Sequence, residues 1–163
     1  MASGLSADQG RVLNAAISDL VGQADAVAAF LTDYTGNVLA QRSDRDSGTV
    51  QTIAALCAGA FCATRELATL VGERSFHAIS HQGDDACIYV RSIAGQFLLL
   101  VLYGRGTTEG LVKLYVRRLA GSLEPLLKQI AAQTTCAAAG TDEKITVDPS
   151  QPLFRSASRP GKA

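Results

Sequence analysis

The stretch Ile53-Ala-Ala-Leu-Cys-Ala-Gly-Ala-Phe-Cys-Ala63 runs for eleven residues without a polar side chain. It lies inside a helix-forming segment, residues 49–71, that Gly72 is expected to end. A helix that is apolar all the way round needs cover on every side, and eleven residues are too few to span a bilayer, which takes about 20. A domain of this size offers one covering layer, so we predict that a second copy of the chain supplies the other.

The spacing of small residues in this segment supports an association surface. Ala55, Gly59 and Ala63 recur every four residues, as do Ala58 and Cys62. They form shallow strips on which another backbone can approach closely. The alternative is an alanine-rich core helix packed only on its own sheet, which periodicity alone does not exclude. We favour association because a one-sided helix should carry polar residues along its outer face, and here they are confined to one end. The polar residues are Thr64, Arg65, Glu66 and Thr69.

Length and charge restrict the protein class. The 163 residues fit one folded domain, residues 1–133, followed by a flexible tail, residues 134–163, in which Ala, Gly, Ser, Pro and Arg dominate. With 15 basic and 15 acidic residues the formal charge is zero, and this balance gives no indication of a basic patch. Nucleic acid and anionic membranes are therefore poor candidate partners. The N-terminus shows no signal-peptide pattern, so we expect a cytoplasmic protein.

The sequence offers no convincing active site. The four cysteines lack C-x-x-C spacing and fit reduced thiols in a reducing cytoplasm. His77 and His81 would lie about 13 Å apart on a strand, too far to share one metal without a third ligand. The loop 104–108 lacks the Walker lysine and the third glycine of a dinucleotide fingerprint. We therefore predict no catalytic residue, no metal, no cofactor and no enzymatic activity.

Hydrophobic patterning predicts the order helix, hairpin, helix, three-strand meander, helix. Ser6 and Gln9 have the spacing of a capping box that starts the first helix, which Gly22 should end. Gly36 fits the tight turn of the hairpin. Pro125 is expected to kink the last helix or mark a fresh start. The predicted strands are residues 26–31, 38–42, 76–81, 87–93 and 97–103.

The apolar patterns of three predicted strands indicate where the helices lie and which strand forms an edge of the sheet. Residues 26–31 and 97–103 lack the in/out alternation of a half-exposed sheet, so helices should cover both faces. The segment 76–81 alternates, as an outer strand does, and is open to pairing with a second molecule. We therefore predict an α/β (α+β) fold with a central five-stranded, mostly antiparallel sheet and helices on both faces. The candidate dimer edge strand contributes Phe76, His77, Ile79 and His81.

Several stretches resemble one known family. Asp33-Tyr-Thr-Gly36 followed by Val38-Leu39 resembles the first hairpin of the roadblock/dynein light chain domain family. Residues 67–76, His81-Gln-Gly83 and 110–114 resemble its bacterial, MglB-like branch. The similarity covers about residues 12–132. It implies a roadblock/profilin-like sandwich and a homodimer whose second helices pack side by side and whose third strands join the two sheets.

The resemblance also implies a function. Proteins of this branch regulate a small Ras-like GTPase of the MglA type, which docks on the paired helices. They accelerate GTP hydrolysis by holding the GTPase's own arginine and glutamine in place. This implies a role in cell polarity or motility and recruitment to a cell pole. The residues expected to form the docking and dimer platform are Ala55, Ala58, Gly59, Cys62, Ala63 and Glu66.

Two features of this chain leave the function open. Arg65 and Glu66 are long and charged where MglB-like helices stay small, so they could alter GTPase docking. The patch Pro152-Leu-Phe154 offers apolar residues within the tail. The alternative function is a non-catalytic roadblock adaptor or scaffold, in which the same dimer tethers proteins to a motor or a polar complex through this patch.

Overall fold

The computed structural model describes the backbone of residues 5–138 and the side chains of residues 5–134. Within this range the predicted order of three helices and five strands is confirmed. The elements are α1 (Ala7–Gln23), β1 (Ala28–Asp33), β2 (Val38–Arg42), α2 (Ser47–Leu70), β3 (Ala78–Gln82), β4 (Ala86–Ile93), β5 (Phe97–Gly104) and α3 (Glu109–Ala138).

The five strands form one sheet in the order β2-β1-β5-β4-β3. Every neighbouring pair is antiparallel. β5 lies at the centre, and all its residues except the last are buried, which explains why its sequence shows no alternation. β3 lies at an edge, as its alternating sequence predicts.

The helices cover both faces of the sheet, which confirms the predicted fold class. α1 and α3 share one face, where residues such as Leu13, Ile17 and Val116 pack against the sheet in the larger core cluster. α2 lies alone on the other face and packs Val50 and Phe61 against apolar side chains of the sheet. One face thus has two covering helices, whereas the other has one.

The predicted signals at helix ends act as expected except at Gly22, which lies inside α1 instead of ending it, because the helix continues to Gln23. The backbone N–H of Gln9 donates to Ser6 Oγ at 3.2 Å, and the N–H of Ser6 donates to Gln9 Oε1 at 2.9 Å, forming the capping box of α1. α2 starts earlier than predicted because the Asp46 carboxylate accepts from the N–H of Thr49 at 2.9 Å. Gly72, with φ +86°, follows its end.

Several predicted boundaries differ from the structure, including those of β1, which covers Ala28–Asp33 rather than residues 26–31. β3 begins at Ala78 rather than at residue 76. α3 runs without a fresh start through Pro125 to Ala138, so the predicted domain boundary at residue 133 falls inside a helix. Leu123 and Leu127 are buried on either side of Pro125, and this packing holds the helix together across the missing backbone donor. Residues 139–163, which include the patch 152–154, lie outside the described part of the chain.

The turn between β1 and β2 contacts the backbone of α2. Gly36 has φ +89°, and a Cβ atom built on it would lie 2.6 Å from Ala55 Cα. Gln51 Nε2 donates to the carbonyl oxygen of Gly36 at 2.8 Å. Because only a glycine allows this approach, the turn fixes the position of α2 over the sheet.

The Asp33 carboxylate holds the same turn together. Its Oδ1 accepts from the backbone N–H groups of Thr35 at 2.8 Å and Asn37 at 3.0 Å. Partial burial by itself raises the pKa of Asp33, but the hydrogen bonds from Thr35 and Asn37 together outweigh it, so that the pKa lies below its ordinary value. The charged form of Asp33 therefore stabilises the folded turn.

Gly36→Ala is expected to lower the free energy of unfolding by about 2–4 kcal/mol, because it adds left-handed backbone strain and a clash with Ala55. Gly72→Ala is the matched control. Its φ is also positive, but a Cβ atom there meets nothing within 4 Å, so it should cost only about 1–2 kcal/mol. Denaturant unfolding measures both. Equal losses of unfolding free energy in the two variants would show that the contact between the turn and α2 contributes no stability.

Asp33→Asn is expected to destabilise the fold at neutral pH and to lose this effect in acid. A carboxyl group with a lowered folded-state pKa stabilises above its unfolded-state pKa, and that stabilisation disappears as the pH falls through the folded-state pKa. Urea unfolding of wild type and variant at a series of pH values from neutral to about 2.5 checks this. If the free energies of unfolding of wild type and variant differ by the same amount at every pH, the prediction is contradicted.

Candidate functional site

The inner face of α2 attaches the helix to the sheet. The buried residues of the helix are Val50, Ala54, Ala58 and Phe61. The Phe61 ring lies 5.9 Å from the Tyr34 ring and 5.0 Å from the Phe76 ring, between centroids. Ala58 is only 1% exposed, so its prediction as a platform residue is wrong. Ala58 faces the sheet, on the same side of the helix as Phe61.

The outer face of α2 is exposed and apolar. The exposed fractions of Leu56, Leu67 and Leu70 are 70%, 58% and 85%. Small residues lie between these leucines along the helix. We call this surface the α2 platform, and its residues are Ala55, Leu56, Gly59, Ala60, Ala63, Leu67 and Leu70. A continuous apolar surface of this kind on a folded domain marks an interaction site.

The other predicted platform residues have different positions. Ala55, Gly59 and Ala63 are exposed on the platform, whereas Cys62 is half-buried at its margin. Sequence reasoning missed Leu56, Ala60, Leu67 and Leu70. The signal that could have identified them is the position of Phe61, the one aromatic residue of α2. Placing this large side chain inward sets the helical phase and turns the leucines outward.

A groove connects the platform to the outer strands. It has a volume of about 250 Å³, and Leu56, Cys57 and Ala60 of α2 form one wall. Ile79, His81, Ile88 and Val90 form the other wall. The apolar surface therefore continues from the helix to the edge of the sheet.

The four residues predicted for the dimer edge strand fall into two groups. Ile79 and His81 belong to β3 and line the groove. Phe76 precedes β3 and packs against Phe61, so its assignment to the strand is wrong. His77 also precedes β3, although its carbonyl oxygen accepts from the N–H of Ser92 at 2.9 Å. The strand starts later than predicted because Phe76 turns into the core beneath α2.

Arg65 and Glu66 behave differently from each other. The Arg65 guanidinium lies 5.1 Å from the centroid of the Tyr34 ring, a cation–π contact that draws it away from the platform. Its distance to the Glu66 carboxylate is 3.8 Å. The Glu66 side chain is 73% exposed and remains beside Ala63 and Leu67. Only one of the two charged residues therefore alters the platform.

The length of α2 raises the question of membrane insertion. Among the described residues it is the one helix long and apolar enough to cross a bilayer by length and composition alone. The core helices of soluble proteins meet the same test, so one such helix is weak evidence. Insertion would also separate Phe61 from Tyr34 and Phe76. The absence of membrane insertion stays our prediction.

The described residues offer little for catalysis. No group of three or more His, Cys, Asp or Glu side chains among residues 5–134 could hold a metal ion. Cys57, Cys62 and Cys87 are free thiols, and burial raises the pKa of Cys57. A protonated thiol behaves as a small apolar side chain, which suits the position of Cys57 in the apolar wall of the groove.

Comparisons with known proteins agree with the motif resemblance. The family model of the Roadblock/LC7 domain matches residues 13–103. MglB from Myxococcus xanthus superposes with a TM-score of 0.71 at 25% identity, covering 77% of this chain and 95% of that one. The gliding protein MglB from Thermus thermophilus has the same TM-score and coverages at 27% identity. These matches confirm the predicted family resemblance. A comparison with curated proteins finds no match.

A more distant structure bears on the fold alone. Profilin II from Acanthamoeba castellanii superposes with a TM-score of 0.54 at 17% identity, covering 70% of this chain and 98% of that one. The predicted profilin-like sandwich is therefore confirmed.

Phe61→Ala is expected to lower the free energy of unfolding by about 3–5 kcal/mol, because it removes the largest side chain that attaches α2 to the sheet. Leu114→Ala is the control. Leu114 is apolar but 52% exposed on α3, so its truncation should change stability by no more than about 0.5 kcal/mol. Guanidinium unfolding measures both. A loss below about 1 kcal/mol for Phe61→Ala would contradict this view of how α2 is held.

Proposed function

Since this chain belongs to the Roadblock/LC7 domain family, we propose that it is a homodimeric regulator of a small Ras-like GTPase of the MglA type. The observation that carries the proposal is the exposed, apolar α2 platform. A soluble domain rarely leaves such a surface uncovered. The proposed arrangement places a second copy of α2 against part of it and the GTPase on the surface that the two helices form together.

The composition of the platform suits a helix pair. Gly59 and Ala63 let a second backbone come close, while Leu56 and Leu67 lie on either side of them. A Cβ atom built on Gly59 meets nothing within 4 Å, so the helix has no need of this glycine for its own packing. Burying an exposed leucine contributes about 1.5–3 kcal/mol. Several leucines from two copies can therefore offset the entropy lost on association.

The edge strand supplies a second contact. β3 lies at the edge of the sheet, so one side of its backbone is free to pair with β3 of another copy. The groove residues Ile79 and His81 lie between this edge and α2. Pairing there would extend the same interface from helix to sheet.

The chemistry of the platform supports a positioning role. Its side chains are Ala, Gly and Leu, with Glu66 beside Ala63 and Leu67, and they offer neither a nucleophile with a base nor a cation for the developing phosphoryl charge. A regulator built this way acts by fixing the GTPase's own catalytic residues. We propose that the protein has no active site of its own and works in the cytoplasm, in cell polarity or motility, with recruitment to a cell pole.

Gly59→Arg is expected to abolish dimer formation and GTPase docking while the monomer stays folded, because the open space at Gly59 accommodates the new side chain. Light scattering gives the mass, and phosphate release from a GTP-loaded MglA-type GTPase, with the regulator in molar excess, gives the activity. Wild type should raise the rate by about tenfold or more, and Gly59→Arg should leave it at the intrinsic value.

Gly22→Arg is the matched control. Gly22 lies in α1, on the other face of the sheet, and a Cβ atom there also meets nothing within 4 Å. This variant should keep the dimer mass and the stimulation. A normal mass for Gly59→Arg would show that the dimer surface lies elsewhere. A wild-type dimer that neither binds the GTPase nor changes its rate would favour the adaptor function.

A further inference from the structure

A second surface runs from the C-terminal half of α2 over the α2–β3 connection and the end of β4 to α3. It is a cleft of about 770 Å³. Its lining includes one carboxylate, Glu124, and five cationic side chains. We call it the basic cleft, and its cationic residues are Arg65, Arg74, Arg91, Arg117 and Lys128.

The cleft concentrates charge that the composition hides. It holds five of the chain's 15 Lys and Arg residues, although the formal net charge is zero. The overall charge balance gave no indication of this local concentration of positive charge. The residues come from α2, the α2–β3 connection, β4 and α3, so only the fold brings them together. Like charges gathered in a cleft raise the local potential and attract anions.

Three of these five cations have no ion-pair partner among the described residues. Lys128 pairs with Glu124 at 2.8 Å, and Arg65 reaches Glu66 at 3.8 Å. Arg74, Arg91 and Arg117 form no ion pair with the described residues.

Arg91 brings a partly buried cation to the cleft. Its Nε is shielded from solvent and donates no hydrogen bond within the described part of the chain. A buried donor without an acceptor is destabilising, and a positive charge held partly buried at the cleft adds to its attraction for anions.

The shape of the cleft favours an extended ligand. Arg117, Gly121, Glu124 and Lys128 lie on one face of α3, and the eleven helical steps from the first to the last span about 16 Å. One phosphate group cannot reach both ends. A chain of about five residues in extended conformation covers this length. Gly121 and Gly95 also line the cleft, so part of its surface carries no side chain.

We propose that the basic cleft binds an extended segment of a partner protein rich in Asp and Glu. Guanidinium groups match carboxylates with paired hydrogen bonds, and four of the five cations are arginines. The inference goes beyond the proposed GTPase regulation and does not depend on it, because the cleft lies outside the α2 platform. Arg65 is the point where the two surfaces meet.

The test uses the full chain and a fluorescein-labelled hexaglutamate peptide, with hexaglutamine as the uncharged probe. Fluorescence anisotropy should show that the protein binds hexaglutamate but not hexaglutamine. The affinity for hexaglutamate should fall as sodium chloride is added. The double variant Arg74→Ser/Arg117→Ser should weaken binding by about tenfold. Arg42→Ser/Arg118→Ser is the control, since it removes the same charge from exposed residues outside the cleft and should change the affinity by less than about twofold.

Three outcomes would overturn the proposal. Equal weakening by both double variants would mean non-specific attraction. No binding of hexaglutamate by wild type would mean that the cleft takes no acidic segment. Displacement of the peptide by pyrophosphate at a lower concentration than by unlabelled hexaglutamate would identify a small-anion site instead. Circular dichroism of both double variants confirms that they are folded, and the GTPase assay with wild type remains an independent readout of the platform.

Discussion

The packing of Phe61 against Tyr34 and Phe76 attaches α2 to the sheet. It sets the rotation of α2 about its own axis. With Phe61 inward, Ala54 and Ala58 face the sheet as well, and the leucines of the helix face outward. The contact of Gly36 with Ala55 then fixes the position of the helix along the sheet. Together these two contacts attach a helix that is apolar on its exposed side.

Much of the fold could be predicted from local sequence signals. The capping box at Ser6, the hairpin turn at Gly36 and the unbroken apolar run of β5 each act over short distances, and each appears as predicted. Pro125 and the start of β3 were harder because tertiary contacts decide them. Buried leucines hold α3 together across Pro125, and Phe76 leaves the strand pattern because it packs beneath α2. The helix and strand propensities of the neighbouring residues predict neither the continuity of α3 nor the position of Phe76.

In the candidate site, too, some positions follow from local sequence and others depend on tertiary packing. The exposed positions Ala55, Gly59 and Ala63 follow from the spacing of small residues, whereas the assignment of Ala58 failed because small residues also fit against a sheet. Composition gave no sign of the basic cleft, since Arg65, Arg91 and Arg117 are far apart in sequence and their charges are balanced elsewhere in the chain. Charge balance describes the whole molecule, whereas binding depends on where the fold places each charge.

We expect a second copy of the chain to cover the α2 platform in solution. Sedimentation equilibrium of the unmodified protein at micromolar concentration measures this association. A mass of twice the 17.0 kDa of one chain is the predicted result. A single species of 17.0 kDa across the concentration range would contradict the account, because the exposed leucines of α2 would then remain in contact with water.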